Sequence, residues 1–207
     1  MRKFILMLLV MAPAFVFAVD STAELTVFGG YRGGGELFAK NIDFVDTNLD
    51  VDGAATFGLS LGVPLSSRWS LEFLVDHQAT ELLESGGQFG GRQYFADFDV
   101  TYYHIGARFQ WTSAKVRPYI VFSLGIASLD IDLPGARGED EFSTSFGGGV
   151  RVPFSDHLGL RVEGRGFWTE TGTNNWDWDD CDHDCGHRYE NDDLWQAEVT
   201  VGLVVSF

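Results

Sequence analysis

The feature that most constrains the fold is the apolar alternation of the last fourteen residues, Leu194 to Phe207, whose opposite row is mostly polar. Every second residue is apolar, in the row Trp195, Ala197, Val199, Val201, Leu203, Val205 and Phe207. A period of two is typical of a β-strand, whose successive side chains point to opposite faces. Ordinary strands have about 5 to 6 residues, whereas a tilted strand that crosses a bilayer needs about 9 to 11. The segment therefore predicts a membrane-crossing strand, and the alternative is a buried C-terminal strand of a soluble sandwich.

The start of the chain has the pattern of a secretory signal peptide. Arg2 and Lys3 precede an apolar run that extends from Phe4 to Phe17, and Ala18 supplies a small residue for cleavage. An uncleaved membrane helix is the alternative, but it needs about 20 apolar residues. We therefore expect residues 1–18 to be removed during export through the periplasm, which leaves residues 19–207 as a single domain.

The composition narrows the possible partners and the possible membrane segments. The chain has a formal net charge of -16, which argues against nucleic acid because phosphate contacts require lysine and arginine. After the signal peptide no segment has 18 consecutive apolar residues, so no helical membrane span is expected. Glycine is abundant, with 25 residues of 207, as expected where strands curve inside a narrow barrel.

Eight segments alternate in this way, and the connections between them are unequal in a regular order. The segments are Ala23 to Arg32, Ala54 to Leu65, Trp69 to His77, Phe98 to Trp111, Val116 to Leu129, Phe142 to Phe154, Leu158 to Thr169 and Leu194 to Phe207. Connections after the second, fourth and sixth segments are short, and the others are long. Short turns at one end and long loops at the other predict an all-β fold, an eight-stranded antiparallel up-and-down transmembrane β-barrel. A Greek-key sandwich has no reason to alternate in this way.

One row of these segments is apolar and ends in aromatic belts. Tracing the strands places Trp69, Trp111, Phe154 and Phe207 at one membrane edge and Trp168 and Trp195 at the other, which predicts a girdle. A soluble ligand-binding barrel would instead turn its apolar row inward.

The opposite row carries charges of both signs. We expect these side chains to meet in the lumen as an ion-pair network formed by Glu24, Glu72, Arg108, Arg151, Arg161, Glu163, Arg165 and Glu198. Eight strands enclose a space that side chains just fill, so a filled interior that stabilises the barrel is preferred over a small gated pore.

Together, the signal peptide, eight amphipathic segments, polar inner row and terminal Phe207 resemble the small eight-stranded bacterial outer-membrane barrels. That family includes the transmembrane domain of outer membrane protein A, the outer membrane protein X type and the opacity-type surface proteins. The resemblance implies residence in the outer membrane, contact with its lipid and lipopolysaccharide, and recognition of the C-terminal strand by the barrel assembly machinery. It also implies a monomer. The chain ends at Phe207 without a peptidoglycan-binding domain, so anchoring to the cell wall is not expected.

The last long loop is rich in potential metal ligands. Cys181 and Cys185 lie four residues apart, and the preferred interpretation is a disulfide formed under the oxidising conditions of export. The alternative is a site for a soft or borderline metal, because thiolate and imidazole are its favoured ligands. Even with the disulfide, a divalent cation could bind weakly to Asp180, Asp182, His183, Asp184 and His187.

A second possible ion site begins at Asn48. The sequence from Asn48 to Gly53 resembles the opening of a calcium loop, but Leu59 occupies the position that requires a carboxylate. An acidic turn is therefore favoured, and no cofactor is expected beyond a weakly bound divalent cation in the outer loops.

The sequence predicts a protein without enzymatic activity. Asp76, His77 and His104 could act as acids or bases, but spacing alone places no serine beside either histidine. The expected role is envelope integrity or surface interaction such as adhesion, with acidic loops facing outward. A channel for small solutes or ions is the main alternative, and a lipid-modifying enzyme is the third.

Overall fold

All regular secondary structure in the described part of the chain is β-strand. The computed structural model describes residues 23–42, 45–85, 92–111, 115–131, 138–171 and 193–207. Among these residues no helix is long and apolar enough to cross a membrane. The strands are β1 (Glu24–Gly33), β2 (Glu36–Ile42), β3 (Val45–Val51), β4 (Ala54–Pro64), β5 (Trp69–Ser85), β6 (Arg92–Gln110), β7 (Arg117–Ile131), β8 (Glu139–Pro153), β9 (Leu158–Glu170) and β10 (Asp193–Ser206).

Eight of these strands close into an antiparallel barrel. Around the ring they follow the order β1, β4, β5, β6, β7, β8, β9 and β10, and β10 pairs again with β1. These eight correspond to the eight segments expected from alternation, so the predicted fold is confirmed. The end that holds Ala23, Phe207 and the turns at residues 65–68 and 154–157 is called the terminal end below, and the opposite end is called the loop end.

The strands β2 and β3 form a hairpin where the sequence predicted a long loop. β3 pairs with β2 on one side and with the loop end of β5 on the other. Gly34 and Gly35 turn the chain from β1 into β2 with φ values of 87° and 125°, a conformation that side chains other than glycine rarely adopt. Asn48 to Val51 belong to β3, and only Asp52 and Gly53 form the short connection that leads into β4, so most of the segment predicted as a turn is a strand.

The strands β5 and β6 extend farther toward the loop end than the sequence indicated. Their register continues to the pair of Ser85 with Arg92, past the predicted limits at His77 and Phe98. The next two outward side chains on β5 after His77, Ala79 and Glu81, are not large and apolar, although the backbone ladder continues. The apolar alternation therefore marks the extent of the lipid contact, not the end of the strand.

The two faces of the barrel differ in polarity. Large apolar side chains are exposed on the outer surface, including Phe57 (63% exposed), Phe122 (53%) and Val199 (62%). This arrangement suits a hydrocarbon surrounding and is unlike a soluble protein, where such side chains are mostly inside. Inside, an apolar and aromatic core lies toward the loop end and contains Val51, Leu74, Phe98, Val100, Tyr102, Ala127, Phe167 and Leu194. Most of the charged side chains lie below it, toward the terminal end.

Candidate functional site

The interior below the apolar core begins with a cluster around Arg32, which we call the outer cluster. Arg32 is completely buried, and its Nη2 contacts Asp76 and lies 2.5 Å from Glu198 Oε2. Nε of Arg32 donates a second hydrogen bond to the same Glu198 oxygen at 2.9 Å. The hydroxyl group of Thr56 donates a hydrogen bond to Asp76. One guanidinium group therefore holds two buried carboxylates.

Aromatic rings cover Arg32 on the loop side. The guanidinium carbon lies 4.7 Å from the ring centroids of both Tyr102 and Phe167, within the range of a cation–π interaction. The two rings stack on each other with centroids 4.3 Å apart. Tyr102 also donates a hydrogen bond of 2.9 Å to Gln196. Arg32 is therefore held between two aromatic rings and two buried carboxylates.

A second group, the central cluster, consists of Glu72, Tyr119, Arg161, Glu163 and Arg165. Glu72 lies 2.9 Å from Arg161 and 2.6 Å from Arg165. Glu163 contacts Arg161 and lies 2.8 Å from Arg165. Tyr119 donates a hydrogen bond of 2.6 Å to Glu163 and accepts one of 2.7 Å from Arg161. Each arginine of this cluster is therefore neutralised by two carboxylates, and a small cavity separates Arg161 and Glu163 from Glu198 of the outer cluster.

The third group, the terminal mouth, consists of Glu24, Arg108, Arg117 and Arg151. Glu24 lies 2.6 Å from Arg108 and also contacts Arg151. Arg108 reaches toward the central cluster, 3.7 Å from Glu72. Arg151 donates a further hydrogen bond of 2.9 Å to Ser206 on β10. Ion pairs thus occupy the lumen from the terminal end to the aromatic core.

All eight charged residues that the sequence assigned to the lumen face the interior, and each makes an ion pair there. Arg32, Arg117 and Asp76 also belong to the lumen but were not part of the predicted set. Arg32 and Asp76 continue the inward rows of Thr26 and Glu72 at a spacing of two. That spacing could have predicted that both residues face the lumen. They were missed because they lie near the loop end, where the apolar outer row ends.

The histidines considered as acid–base candidates are placed in different surroundings. Nδ1 of His104 lies 2.9 Å from Ser123 Oγ, so the structure supplies the serine that spacing did not. Both residues are buried inside the barrel, at 4% and 2% exposure, beneath the aromatic core. His77 faces outward, with Nδ1 2.9 Å from Thr101 Oγ1, whereas the adjacent Asp76 faces inward. Asp76 and His77 therefore cannot act as a pair.

The predicted girdle residues lie at the two ends of the barrel wall. At the terminal end Trp69, Trp111, Phe154 and Phe207 are exposed, and Phe109 packs between the two tryptophans at 5.0 and 4.9 Å. Toward the loop end Trp195 is exposed, and it pairs across strands with the half-buried Trp168. These positions are consistent with amphipathic rings at two membrane interfaces.

The candidate disulfide and metal residues lie outside the described residues. These are Asp180, Cys181, Asp182, His183, Asp184, Cys185 and His187. Within the ranges that the structure does describe, no three His, Cys, Asp or Glu side chains are grouped so that they could hold a metal ion.

Solved structures that resemble this chain are outer-membrane barrels. OprG from Pseudomonas aeruginosa superposes with a TM-score of 0.57 at 13% identity, over 90% of this chain and 97% of that one. The outer membrane protein AlkL, studied in lipid bilayers, gives 0.56 at 14% identity over 94% of each chain. Neisserial surface protein A gives 0.54 at 13% identity, over 89% of this chain and 97% of that one. At these identities the likeness concerns the fold alone.

A comparison with family sequences extends this likeness to nearly the whole chain. No curated protein matches the sequence. The family described as "Outer membrane protein beta-barrel domain" matches residues 4–207. That match, the closed eight-stranded barrel and its apolar outer surface agree with one another. The chain belongs to the outer membrane protein beta-barrel domain family, and its location is the outer membrane.

Proposed function

We propose that this protein is a closed, non-enzymatic barrel that supports the envelope and presents acidic loops for interactions at the cell surface. The observation that carries the proposal is the filled lumen. Ion pairs occupy the lumen at the terminal mouth, the central cluster and the outer cluster, and Tyr102 and Phe167 pack on Arg32 of the outer cluster. A continuous aqueous path would require several buried ion pairs to separate, each at a cost of a few kcal/mol, about 3 to 5 when one partner is lost.

Planar-bilayer recording tests this proposal against the channel alternative. The protein, inserted at known density, is expected to give no discrete conductance steps. Reproducible discrete steps from the unmodified protein would favour a channel for small solutes or ions.

The absence of catalysis is supported by how the candidate groups are placed. His104 and Ser123 are buried inside the barrel, where the rings of Tyr102 and Phe167 contact His104, and neither faces the lipid-exposed surface. His77 is accessible from the membrane, but its inward neighbour Asp76 is bound to Arg32. Mass spectrometry of lipid A from cells that express the protein should be unchanged by His77→Ala or by His104→Gln. Loss of a modified lipid A species in either variant would establish an enzyme.

The proposed partners at the loop end are lipopolysaccharide and its bridging divalent cations. Outward-facing, exposed carboxylates lie above the apolar wall on four neighbouring strands, at Glu81, Asp97, Asp99, Asp130 and Asp140. Asp99 and Asp130 are directly opposite each other in the β6–β7 register, where two like charges repel. A shared divalent cation would relieve that repulsion. Calorimetric titration with calcium should release heat in the native protein and less heat in Asp99→Asn/Asp130→Asn, and a titration without heat would remove this partner.

A further inference from the structure

At the terminal mouth, inward-facing arginines outnumber the carboxylates that neutralise them. Arg117 begins β7, and Arg108 and Arg151 lie two residues before the ends of β6 and β8. Arg117 and Arg151 are directly opposite each other in the β7–β8 register. Glu24 contacts two of these arginines, Arg108 and Arg151, and Arg108 also lies 3.7 Å from Glu72 of the central cluster. Among the described residues, three inward-facing guanidinium groups therefore share the mouth with one inward-facing carboxylate.

Arg117 has no share in these ion pairs. Among the residues that the structure describes, no carboxylate lies within 4.0 Å of its guanidinium group. The Nε atoms of Arg108, Arg117 and Arg151 are buried, and within the described ranges each lacks a hydrogen-bond acceptor. Arg108 and Arg151 are only 4% and 7% exposed. The mouth thus has both uncompensated positive charge and unused donors directed into it.

This arrangement is unfavourable for the protein alone. Like charges that face each other across two strands repel, and a buried donor without an acceptor costs about 1 to 3 kcal/mol. An anion with several oxygen acceptors would relieve both. Because the planar guanidinium fork matches phosphate oxygens in pairs, arginine is the residue type that best binds such an anion.

The turns around the mouth carry charges of both signs. Lys115 and Arg68 are exposed there, and so is Asp156, so the local excess of positive charge lies with the three inward-facing arginines. In barrels of this type the short turns face the periplasm. We propose that the terminal mouth is a binding site for a phosphate-class oxyanion that enters from the periplasmic side, held by Arg117 together with Arg108 and Arg151.

Isothermal titration calorimetry with pyrophosphate, on the purified full-length barrel in a non-ionic detergent, tests this site. The native protein should bind pyrophosphate saturably. Arg117→Gln should bind it about ten- to hundredfold more weakly, the equivalent of one lost hydrogen bond to a charged group. Arg117 is the suitable position because its replacement leaves no carboxylate without a partner.

The matched control is Arg68→Gln, which removes the same charge from an exposed position at the same end of the barrel. Its affinity for pyrophosphate should equal that of the native protein. A native protein that shows no saturable binding would overturn the proposal. So would an equal loss of affinity in Arg68→Gln and Arg117→Gln, because the effect would then be one of overall charge. A heat-dependent shift in electrophoretic migration checks that each variant is folded.

The phosphate group could come from a free anion or from a lipid headgroup, and nanodiscs distinguish these sources. Pyrophosphate binding that is equal in phosphatidylcholine nanodiscs and in nanodiscs that also contain phosphatidylglycerol indicates a free anion as the natural ligand. Binding that phosphatidylglycerol suppresses, with loss of this suppression in Arg117→Gln, indicates a lipid phosphate. This site is at the opposite end from the acidic loops, so its outcome is independent of the surface role proposed above.

Discussion

The two ends of the lumen are charged in opposite ways around a shared counterion. At the outer cluster, Asp76 and Glu198 share Arg32, whereas at the terminal mouth Arg108 and Arg151 share Glu24 and Arg117 has no carboxylate. Between them, the central cluster balances two arginines with two carboxylates. Since a buried charge stabilises only when it is matched, the outer cluster depends on its one cation. The terminal mouth instead keeps positive charge that the protein does not use for its own stability.

The largest effect should follow from removing the shared cation of the outer cluster. Arg32→Met leaves Asp76 and Glu198 buried side by side without a positive charge, so the free energy of unfolding should fall by about 5 kcal/mol, the upper range for a broken buried pair. Urea titration in lipid vesicles at neutral pH measures this loss. Stability should recover in part at acidic pH, because protonated carboxyl groups can donate hydrogen bonds to each other.

The triple variant Arg32→Met/Asp76→Asn/Glu198→Gln is the control for this interpretation. It removes the carboxylates together with the cation and should therefore be more stable than Arg32→Met alone, since neutral groups of similar shape no longer leave a charge buried. If the triple variant is less stable than the single one, Arg32 acts mainly through its packing against Tyr102 and Phe167.

A smaller effect should follow from removing the shared anion of the terminal mouth. Glu24→Gln leaves Arg151 beside Arg117 without its carboxylate and leaves Arg108 with only its 3.7 Å contact to Glu72, but Glu24 is 12% exposed and water can partly replace it. The free energy of unfolding should fall by about 2 to 3 kcal/mol, less than for a fully buried pair. The same urea titration measures it, and added pyrophosphate should restore part of the loss. A loss as large as that of Arg32→Met would remove the contrast between the two ends.

The sequence predicted the barrel because its outer surface must suit lipid at every second residue. That requirement repeats across eight strands, so the alternation was visible without any knowledge of the pairing. The hairpin of β2 and β3 was not visible, because it lies in a segment where no lipid imposes an apolar row and where β3 depends on pairing with β5. The extra length of β5 and β6 was missed for the same reason.

The lumen was predictable in composition but not in connectivity. Period-two spacing placed Glu72, Arg161 and Glu163 on the inner face, since inward and outward side chains alternate. Which arginine binds which carboxylate depends on the register between strands that are distant in sequence, as for Arg32 of β1 and Asp76 of β5. The imbalance at the terminal mouth appears only when Arg117 and Arg151 are paired by that register.

Removal of a single hydroxyl group tests the central cluster, in which the charges are matched, unlike at the two ends of the lumen. Tyr119→Phe removes the group that donates to Glu163 and accepts from Arg161, while both ion pairs of each arginine remain. Because a hydrogen bond to a charged group contributes about 1.5 to 3 kcal/mol, the free energy of unfolding should fall by about 2 kcal/mol in the urea titration. Tyr103→Phe, an outward-facing tyrosine on the neighbouring strand β6, is the control and should change it little. A fall of less than 0.5 kcal/mol, well below the contribution of about 1.5 kcal/mol expected for such a bond, would mean that the ion pairs alone hold the cluster.

The smallest expected effect is a gain in the free energy of unfolding instead of a loss. Arg117 faces Arg151 across two strands and makes no ion pair among the described residues, so Arg117→Gln removes a repulsion and leaves no buried charge unmatched. In phosphate-free buffer of low ionic strength the free energy of unfolding should therefore rise by about 0.2 to 1 kcal/mol, the scale of cross-strand pairs. The gain should shrink as salt is added, because salt screens the repulsion near the open mouth. Pyrophosphate should reverse the order of the two proteins, since it stabilises the native barrel by binding and the variant much less. A variant that is less stable than the native protein without any anion would mean that Arg117 already has its partner within the chain, and the terminal mouth would then be a structural cluster like the other two.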